Sequence, residues 1–311
     1  MRGRSPTATR GLAEVMARES REHRVEDVGH GDHLCLTFAD DDEQRRVVTA
    51  YLRAGLERGE RVKYFSDQCA PEQVLDWLDG AGTDPGPAVA RGQLQITTAG
   101  RSYLAGGSFD ADGMVATLQQ EVTASLAAGY TGLRVSGEMG WALRDVPGAD
   151  RLHEYEAKVN AVFDGSRASA VCQYDARRFD AETLTAVDRR HSGSVALEPL
   201  YVDTVLRLAR TLQNGRLTLR VIGVVDHRTT GALASALETV STWPGDVRVD
   251  MTQLEFIDLA GMRALAQAAG RLGNGQRMHV ANLAELLCRV ISVVGWDDEP
   301  ALVVTPREAG A

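Results

Sequence analysis

From His33 to Arg190 short apolar runs alternate with helical patterns, and this alternation constrains the fold more than any other feature of the chain. Strands are expected at His33 to Phe38, Arg61 to Ser66, Gln93 to Thr97, Thr131 to Ser136 and Ser169 to Tyr174. Between them fall helical stretches at Arg46 to Arg58, with Val47, Leu52 and Leu56 on the buried side, Pro71 to Asp79, Asp110 to Ala128 and Leu152 to Phe163, and Ala181 to Arg190 closes the unit. Gly80 to Gly92 reads as loop. Strictly alternating strands and helices argue a parallel sheet covered on both faces. A smaller α/β series follows, with strands at Arg216 to Ile222, Asp246 to Asp250, Gln276 to Val280 and Ala301 to Val304. Its helices are expected at Thr229 to Thr242, Leu259 to Leu272 and Leu283 to Val293. The expected organisation is a flexible segment over 1–29, a first domain over 30–191, a connection over 192–214, a second domain over 215–305 and a tail over 306–311. Ser192 to Glu198 reads as a linker, and Pro199 to Gln213 as a helix with Leu200, Val205, Leu208 and Leu212 on one stripe.

Composition narrows the partners. A formal net charge of -9 disfavours nucleic acid, whose binding needs a basic face. Cys35, Cys69, Cys172 and Cys288 are scattered without a C-x-x-C pair, which fits reduced thiols of a cytoplasmic protein. No apolar run approaches the roughly 20 residues of a membrane span, so no membrane partner is expected.

The stretch Val247 to Leu265 carries the sharpest local signal. Asp258 stands where a helix N-cap belongs, and the residues after it lie at the positive end of that helix. With Gly223-Val224-Val225-Asp226-His227-Arg228-Thr229, Asp250-Met251-Thr252-Gln253-Leu254 and Phe256-Ile257-Asp258-Leu259-Ala260-Gly261-Met262-Arg263, the second unit resembles a STAS domain of the anti-sigma-factor-antagonist type. That resemblance implies partner switching: the domain binds an anti-sigma factor, a HATPase-type kinase, or another regulatory protein, and phosphorylation directly after the aspartate ends the binding. A phosphoryl group at a packed contact acts through repulsion and desolvation. Position 259 is Leu, so that switch is absent. The expected partner-binding residues are Asp226, Thr252, Asp258, Leu259, Ala260 and Gly261. Asp226 and Asp258 are both read as N-caps, and Thr252 is the nearest hydroxyl to the motif. A module of this type also suits homo-oligomerisation.

The first unit resembles the MEDS sensory domain, related to the RecA-like fold of KaiC-type ATPases. The resemblance rests on His33-Leu34-Cys35, on Gly55-Leu56-Glu57-Arg58-Gly59-Glu60-Arg61-Val62, on Leu133-Arg134-Val135-Ser136-Gly137-Glu138-Met139-Gly140-Trp141-Ala142-Leu143 and on Cys172-Gln173-Tyr174-Asp175. It implies a RecA/KaiC-like parallel-sheet sensor for a small molecule of unknown identity. The phosphate-binding loop of that fold is missing: Phe38-Ala39-Asp40-Asp41-Asp42-Glu43-Gln44-Arg45 has no glycine, no lysine and four consecutive acids. No catalytic residues are assigned, and the protein is not expected to be an enzyme; the competing reading is a degenerate nucleotide-binding enzyme with the STAS unit as scaffold. Ligands of an open parallel sheet bind at the carboxyl ends of its strands. The candidates are Phe38, Glu138, Trp141, Tyr174 and Asp175 there, with His33, Cys35 and Cys172 along the strands. Glu138 between glycines suits the rim of a cleft, and Trp141 suits stacking on a flat ligand. His33-x-Cys35 with Cys172 is a weak metal pattern, and no metal is assigned. His153 and His191 have no evident nucleophile beside them, and Glu154 and Glu156 read as a solvated helix face.

Overall fold

A computed structural model describes residues 22–307 apart from 197 and 274. The chain divides into two compact units at Ala196. The first holds strands β1 (Glu22–Arg24), β2 (His33–Phe38), β3 (Arg61–Ser66), β4 (Leu94–Thr98), β5 (Leu133–Glu138), β6 (Ala168–Asp175) and β7 (Gly193–Ala196). They form one sheet in the order β1-β7-β2-β6-β5-β3-β4, and every pairing in it is parallel. Helices α1 (Asp41–Glu57), α2 (Pro71–Gly80), α3 (Gly86–Ala90), α4 (Ala111–Ala127), α5 (Leu152–Phe163) and α6 (Ala181–Asp188) cover it. The α1 helix packs with α2, while α4 packs with α5 and α5 with α6. Helices on both faces explain why the central strands are buried along almost their whole length instead of alternating.

Two parts of this sheet were not expected. Residues 22–24 and 193–196, read as flexible segment and linker, extend the sheet beyond β2 as the edge strand β1 and the strand β7 between β1 and β2. Both are three or four residues long, too short to show a period of two. The one helical face that Leu12, Val15 and Met16 could mark in the expected flexible segment lies outside the described residues. The short α3 falls inside the expected loop, started by Pro85 and Pro87.

At the amino ends of the strands Arg134 is buried, ion-paired with Glu60, donating to Val28 O at 3.1 Å and lying over Tyr51. Glu60 also meets His30 Nε2 at 2.9 Å. The pairing matters because a buried guanidinium without partners costs several kcal/mol.

The second unit holds β8 (Tyr201–Val202), β9 (Leu206–Gln213), β10 (Arg216–Val225), β11 (Val247–Asp250), β12 (Leu254–Ile257), β13 (Met278–Leu283) and β14 (Leu302–Pro306). Its helices are α7 (Thr230–Val240), α8 (Leu259–Ala269) and α9 (Glu285–Val294). The sheet order is β14-β13-β11-β10-β9-β8, with β12 also paired to β10.

The helix expected over Pro199 to Gln213 is absent: β8 and β9 stand there, antiparallel to each other, with β9 also antiparallel to β10. Leu206 and Leu208 are buried and Arg207 between them is exposed, a period of two. The decisive signal is Asn214-Gly215. Gln213 pairs with Arg216 across these two residues, and both have positive φ, 50° and 68°. That is the two-residue hairpin turn whose twist matches its flanking strands, and it outweighs the helical spacing of the leucines. Arg307 follows β14 and donates to Met251 O and Thr252 O, so the chain beyond 305 is tied to the domain as far as it is described.

Candidate functional site

In the second unit, β12 runs through Asp258 into α8. Asp258 has extended backbone, and its carboxylate accepts from Gly261 N at 2.8 Å, the N-cap expected of it. Gly261 is required for packing: a Cβ there would sit 2.7 Å from both Ile257 Cγ1 and Val225 Cγ1. The helix start is thereby pressed onto the sheet, and the residues beside it turn outward. Leu259 is 49% exposed and Phe256 52% exposed, and Ala260 is exposed beside them. Two large apolar side chains thus stand at a capped helix N-terminus.

The other expected partner-binding residues fare differently. Asp226 is no N-cap; Thr229 starts α7, and the Asp226 carboxylate is held by Arg228 at 2.8 Å, which sets it well below the usual carboxylate range. Because Asp258 N donates to Val225 O, Asp226 and Asp258 still lie along one edge. Thr252 is committed inward: its hydroxyl donates to Asp250 at 2.6 Å and accepts from Asn282 at 2.8 Å. Asp250 also accepts from Gln213 and Asn282. Burial raises its pKa, but these hydrogen bonds outweigh it and hold the group below its ordinary value. A groove of about 1080 Å³ in this unit is lined by Arg263, Ala266 and Gln267 of α8, by Gly270 and Arg271 just after it, and by Trp296 and Glu299, and does not include Leu259.

In the first unit the expected ligand residues separate onto the two faces of β6, as strand alternation demands. On the α1 side Gln44 donates to Gln173 at 2.8 Å, Gln173 donates to Ser136, and Tyr64 OH donates to Glu138 at 2.6 Å. The other Glu138 oxygen accepts from three successive backbone amides, Asp67 N at 2.9 Å, Gln68 N, and Cys69 N at 3.1 Å. Glu138 therefore does not rim a cleft; it is buried and fills the nest of amides after β3. Trp141 is also buried, stacked on Tyr103 with ring centroids 4.9 Å apart and tilted against Phe109 at 4.4 Å. Its face is committed to core aromatics instead of a flat ligand. Phe38 is buried under Arg177, and Arg177 joins Asp175 at 2.8 Å to Asp41 at 2.5 Å. The start of α1 is acidic: Asp40 caps it, accepting from Glu43 N at 2.9 Å, and Asp41, Asp42 and Glu43 fill the first turn.

On the α5 side a second polar group closes around Glu156, which is fully buried and not on a solvated face. Glu156 Oε1 accepts from Tyr174 OH at 2.7 Å. Glu156 Oε2 lies 3.3 Å from His33 Nε2, 3.3 Å from His191 Nε2 and 3.9 Å from Cys172 Sγ. His33 Nε2 and Cys172 Sγ are 3.4 Å apart. Burial raises the Glu156 pKa, but His191, His33 and Tyr174 together lower it below the ordinary value. Burial and then Glu156 push the Cys172 thiol well up, so it is not an activated nucleophile. Glu154 on the same helix is the solvated one, bridged to Arg151 and Lys158. Cys35 pairs with Cys172 across β2 and β6, and its Sγ sits 3.5 Å from Thr37 Oγ1. Of the expected set, His33, Cys172 and Tyr174 come together; Glu156 and His191 join them unexpectedly. A four-residue step from Glu156 to Asn160 is the only trace of this in the sequence, since Asn160 accepts from His33 Nδ1 at 2.9 Å.

A parallel sheet covered on both faces and a STAS-type sheet define the class: an α/β chain with two modules and no nucleotide loop at α1. Residues 32–192 match the family model "MEthanogen/methylotroph, DcmR Sensory domain", and residues 208–305 match "Mlab, STAS domain". The chain belongs to the MEthanogen/methylotroph, DcmR Sensory domain family. It is 25% identical over 167 residues to the transcriptional repressor DcmR of Methylorubrum extorquens, covering 53% of this chain and 60% of that protein, so it spans less than two thirds of that relative. Among solved structures, it is similar to a KaiC-like protein of Pyrococcus horikoshii OT3 (14% identity, TM-score 0.41, covering 62% of this chain and 78% of that one). It is also similar to the flagellar accessory protein FlaH of Methanocaldococcus jannaschii (10% identity, TM-score 0.41, covering 67% and 84%). The chain thus joins a sensory-domain match to a STAS-domain match. Among the described residues, no helix is long and apolar enough to cross a membrane.

Proposed function

We propose that this chain is a signalling regulator in which the sensory domain governs what the STAS domain binds, and that the STAS domain docks an anti-sigma factor or related kinase-fold partner through Phe256, Leu259 and Ala260. The observation that carries the reading is the exposed apolar pair at the Asp258-capped start of α8. Exposed apolar side chains beside a positive helix end suit a protein surface with a carboxylate or polar rim. With Leu at 259, control by a phosphoryl group on that residue is replaced by control from the attached sensor. The acids at the start of α1 support a sensor that does not hydrolyse nucleotides, because they repel phosphate where a RecA-like enzyme would hold it.

The test is titration calorimetry of the full chain against purified anti-sigma kinases encoded in the same genome. Leu259→Asp is expected to weaken binding by at least about tenfold, because it removes apolar packing from the interface and forces a carboxylate out of water. Arg271→Ala on the remote groove is expected to leave binding unchanged. Binding that survives Leu259→Asp undiminished sinks the docking surface. A kinase that binds neither wild type nor Leu259→Ser sinks the anti-sigma assignment.

A further inference from the structure

We infer that His33, Glu156, Cys172 and His191 form a built site for one divalent transition-metal ion of the zinc type. One ligand atom from each of the four residues lies within 4.8 Å of the other three, and all four residues are buried. A tetrahedral zinc-type ion with bonds of about 2.0–2.3 Å sets its ligand atoms roughly 3.3–3.6 Å apart. Four of the six separations are 3.3, 3.3, 3.4 and 3.9 Å, those of Glu156 to His33, His191 and Cys172 and of His33 to Cys172. Four of the six edges are thus already close to those that such an ion imposes.

The surrounding hydrogen bonds orient the ligand atoms inward. His191 Nδ1 lies 2.8 Å from Val187 O, a carbonyl that only accepts, so this nitrogen carries the hydrogen. Asn160 donates its amide to Glu156 O and Arg190 O, which turns its oxygen to His33 Nδ1 at 2.9 Å and places the hydrogen there too. In the neutral tautomers both Nε2 lone pairs then face the Glu156 carboxylate. Tyr174 OH occupies Oε1 of that carboxylate and leaves Oε2 for the centre. Each ligand but the thiol has an outer partner, the pattern that orients metal ligands and sets their tautomers. Two imidazole lone pairs, a carboxylate and a thiol in one buried volume repel unless protons or a cation stand between them. One divalent ion with a carboxylate and a thiolate sums to zero charge, which suits a buried centre. Binding would release the thiol proton, so affinity rises with pH. Four protein ligands and no solvent face describe a closed structural site that ties β2, β6, α5 and the end of α6 together.

The experiment uses the full chain, loaded with zinc, passed through gel filtration and assayed by mass spectrometry of the metal, and separately loaded with cobalt. Retention of about one zinc per chain is expected, with a thiolate-to-cobalt charge-transfer band and the intense visible bands of a tetrahedral centre. Cys172→Ser is expected to abolish the charge-transfer band, and His191→Gln to lower zinc retention at least about tenfold. Because the cobalt spectrum is read on the wild type, it decides the matter even if a variant fails to fold. Wild-type chain that leaves the column without metal, or a cobalt complex with no thiolate band, overturns the site; so does full retention by both folded variants.

Discussion

Replacing Glu138 with Ala tests whether this residue is a ligand contact or a structural plug. The carboxylate accepts four hydrogen bonds, from Tyr64 OH and from the amides of Asp67, Gln68 and Cys69. Truncation leaves these four donors facing a hole. A buried donor left without its partner costs about 1–3 kcal/mol. The amides lie near the surface of a loop and regain part of this from entering water, so the loss should be about 3–4 kcal/mol and not the full sum. Glu138→Gln keeps one acceptor oxygen and should cost roughly half as much. A two-domain chain does not unfold in one step, so a single melting temperature would blur the effect. Hydrogen exchange read by peptide resolves it: amides of residues 67–69 and of β3 and β5 should lose protection by a factor of about 100 or more, while β10 to β14 stay unchanged. A loss under about 1 kcal/mol in these peptides would mean that the amide nest does not depend on Glu138, and the plug reading would fail.

Two further outcomes follow from the second unit. Asp258→Ala removes the cap on Gly261 N and should cost about 1 kcal/mol, seen as faster exchange in the first turn of α8, whereas Asp258→Asn should recover most of it; equal behaviour of the two variants would argue that the cap does not hold this turn. Asp250 has a folded-state pKa below its ordinary value, so its stabilisation is present above about pH 4 and is lost as pH falls through the folded value. The stability gap between wild type and Asp250→Asn, measured by urea unfolding, should therefore shrink on acidification, and a gap that holds constant with pH would contradict this.

The parallel sheet of the first unit was legible because short strand-like runs alternate with helices, three of them with aspartate caps at Asp40, Asp110 and Asp180. The capped start of α8 was legible for the same reason: capping is local, and a single aspartate sets it. The hairpin of β9 and β10 was also local, yet the leucine spacing over 199–213 suited a helix and hid the Asn214-Gly215 turn. The buried centre was hidden for a different reason. Glu156 and His191 come from opposite ends of a helix–strand–helix passage and meet His33 only when β2 and β6 pair. A glutamate on an amphipathic helix is usually solvated, and nothing short of the register of the sheet shows which of Glu154 and Glu156 turns inward. For Trp141 the reverse holds: chemistry suitable for a ligand was visible, but the partners Tyr103 and Phe109, about 30 to 40 positions earlier in the chain, claim its face first.

The position of β7 sets an order on synthesis. It lies between β1 and β2, so the first strands made are joined only by the last strand of the unit. Until residues 193–196 emerge, β2 presents an unpaired edge, and such edges invite pairing with other chains. The same late segment brings His191, and Ser192 then bonds the carbonyl of His33 from both its amide and its hydroxyl. A nascent chain halted just before this point would carry an open sheet edge and three quarters of the buried polar centre, a form for quality control to find. The few residues that complete this end of the sheet also lead directly into the second unit, so the ribosome completes the first unit before β8, β9 or any later strand of the second is made.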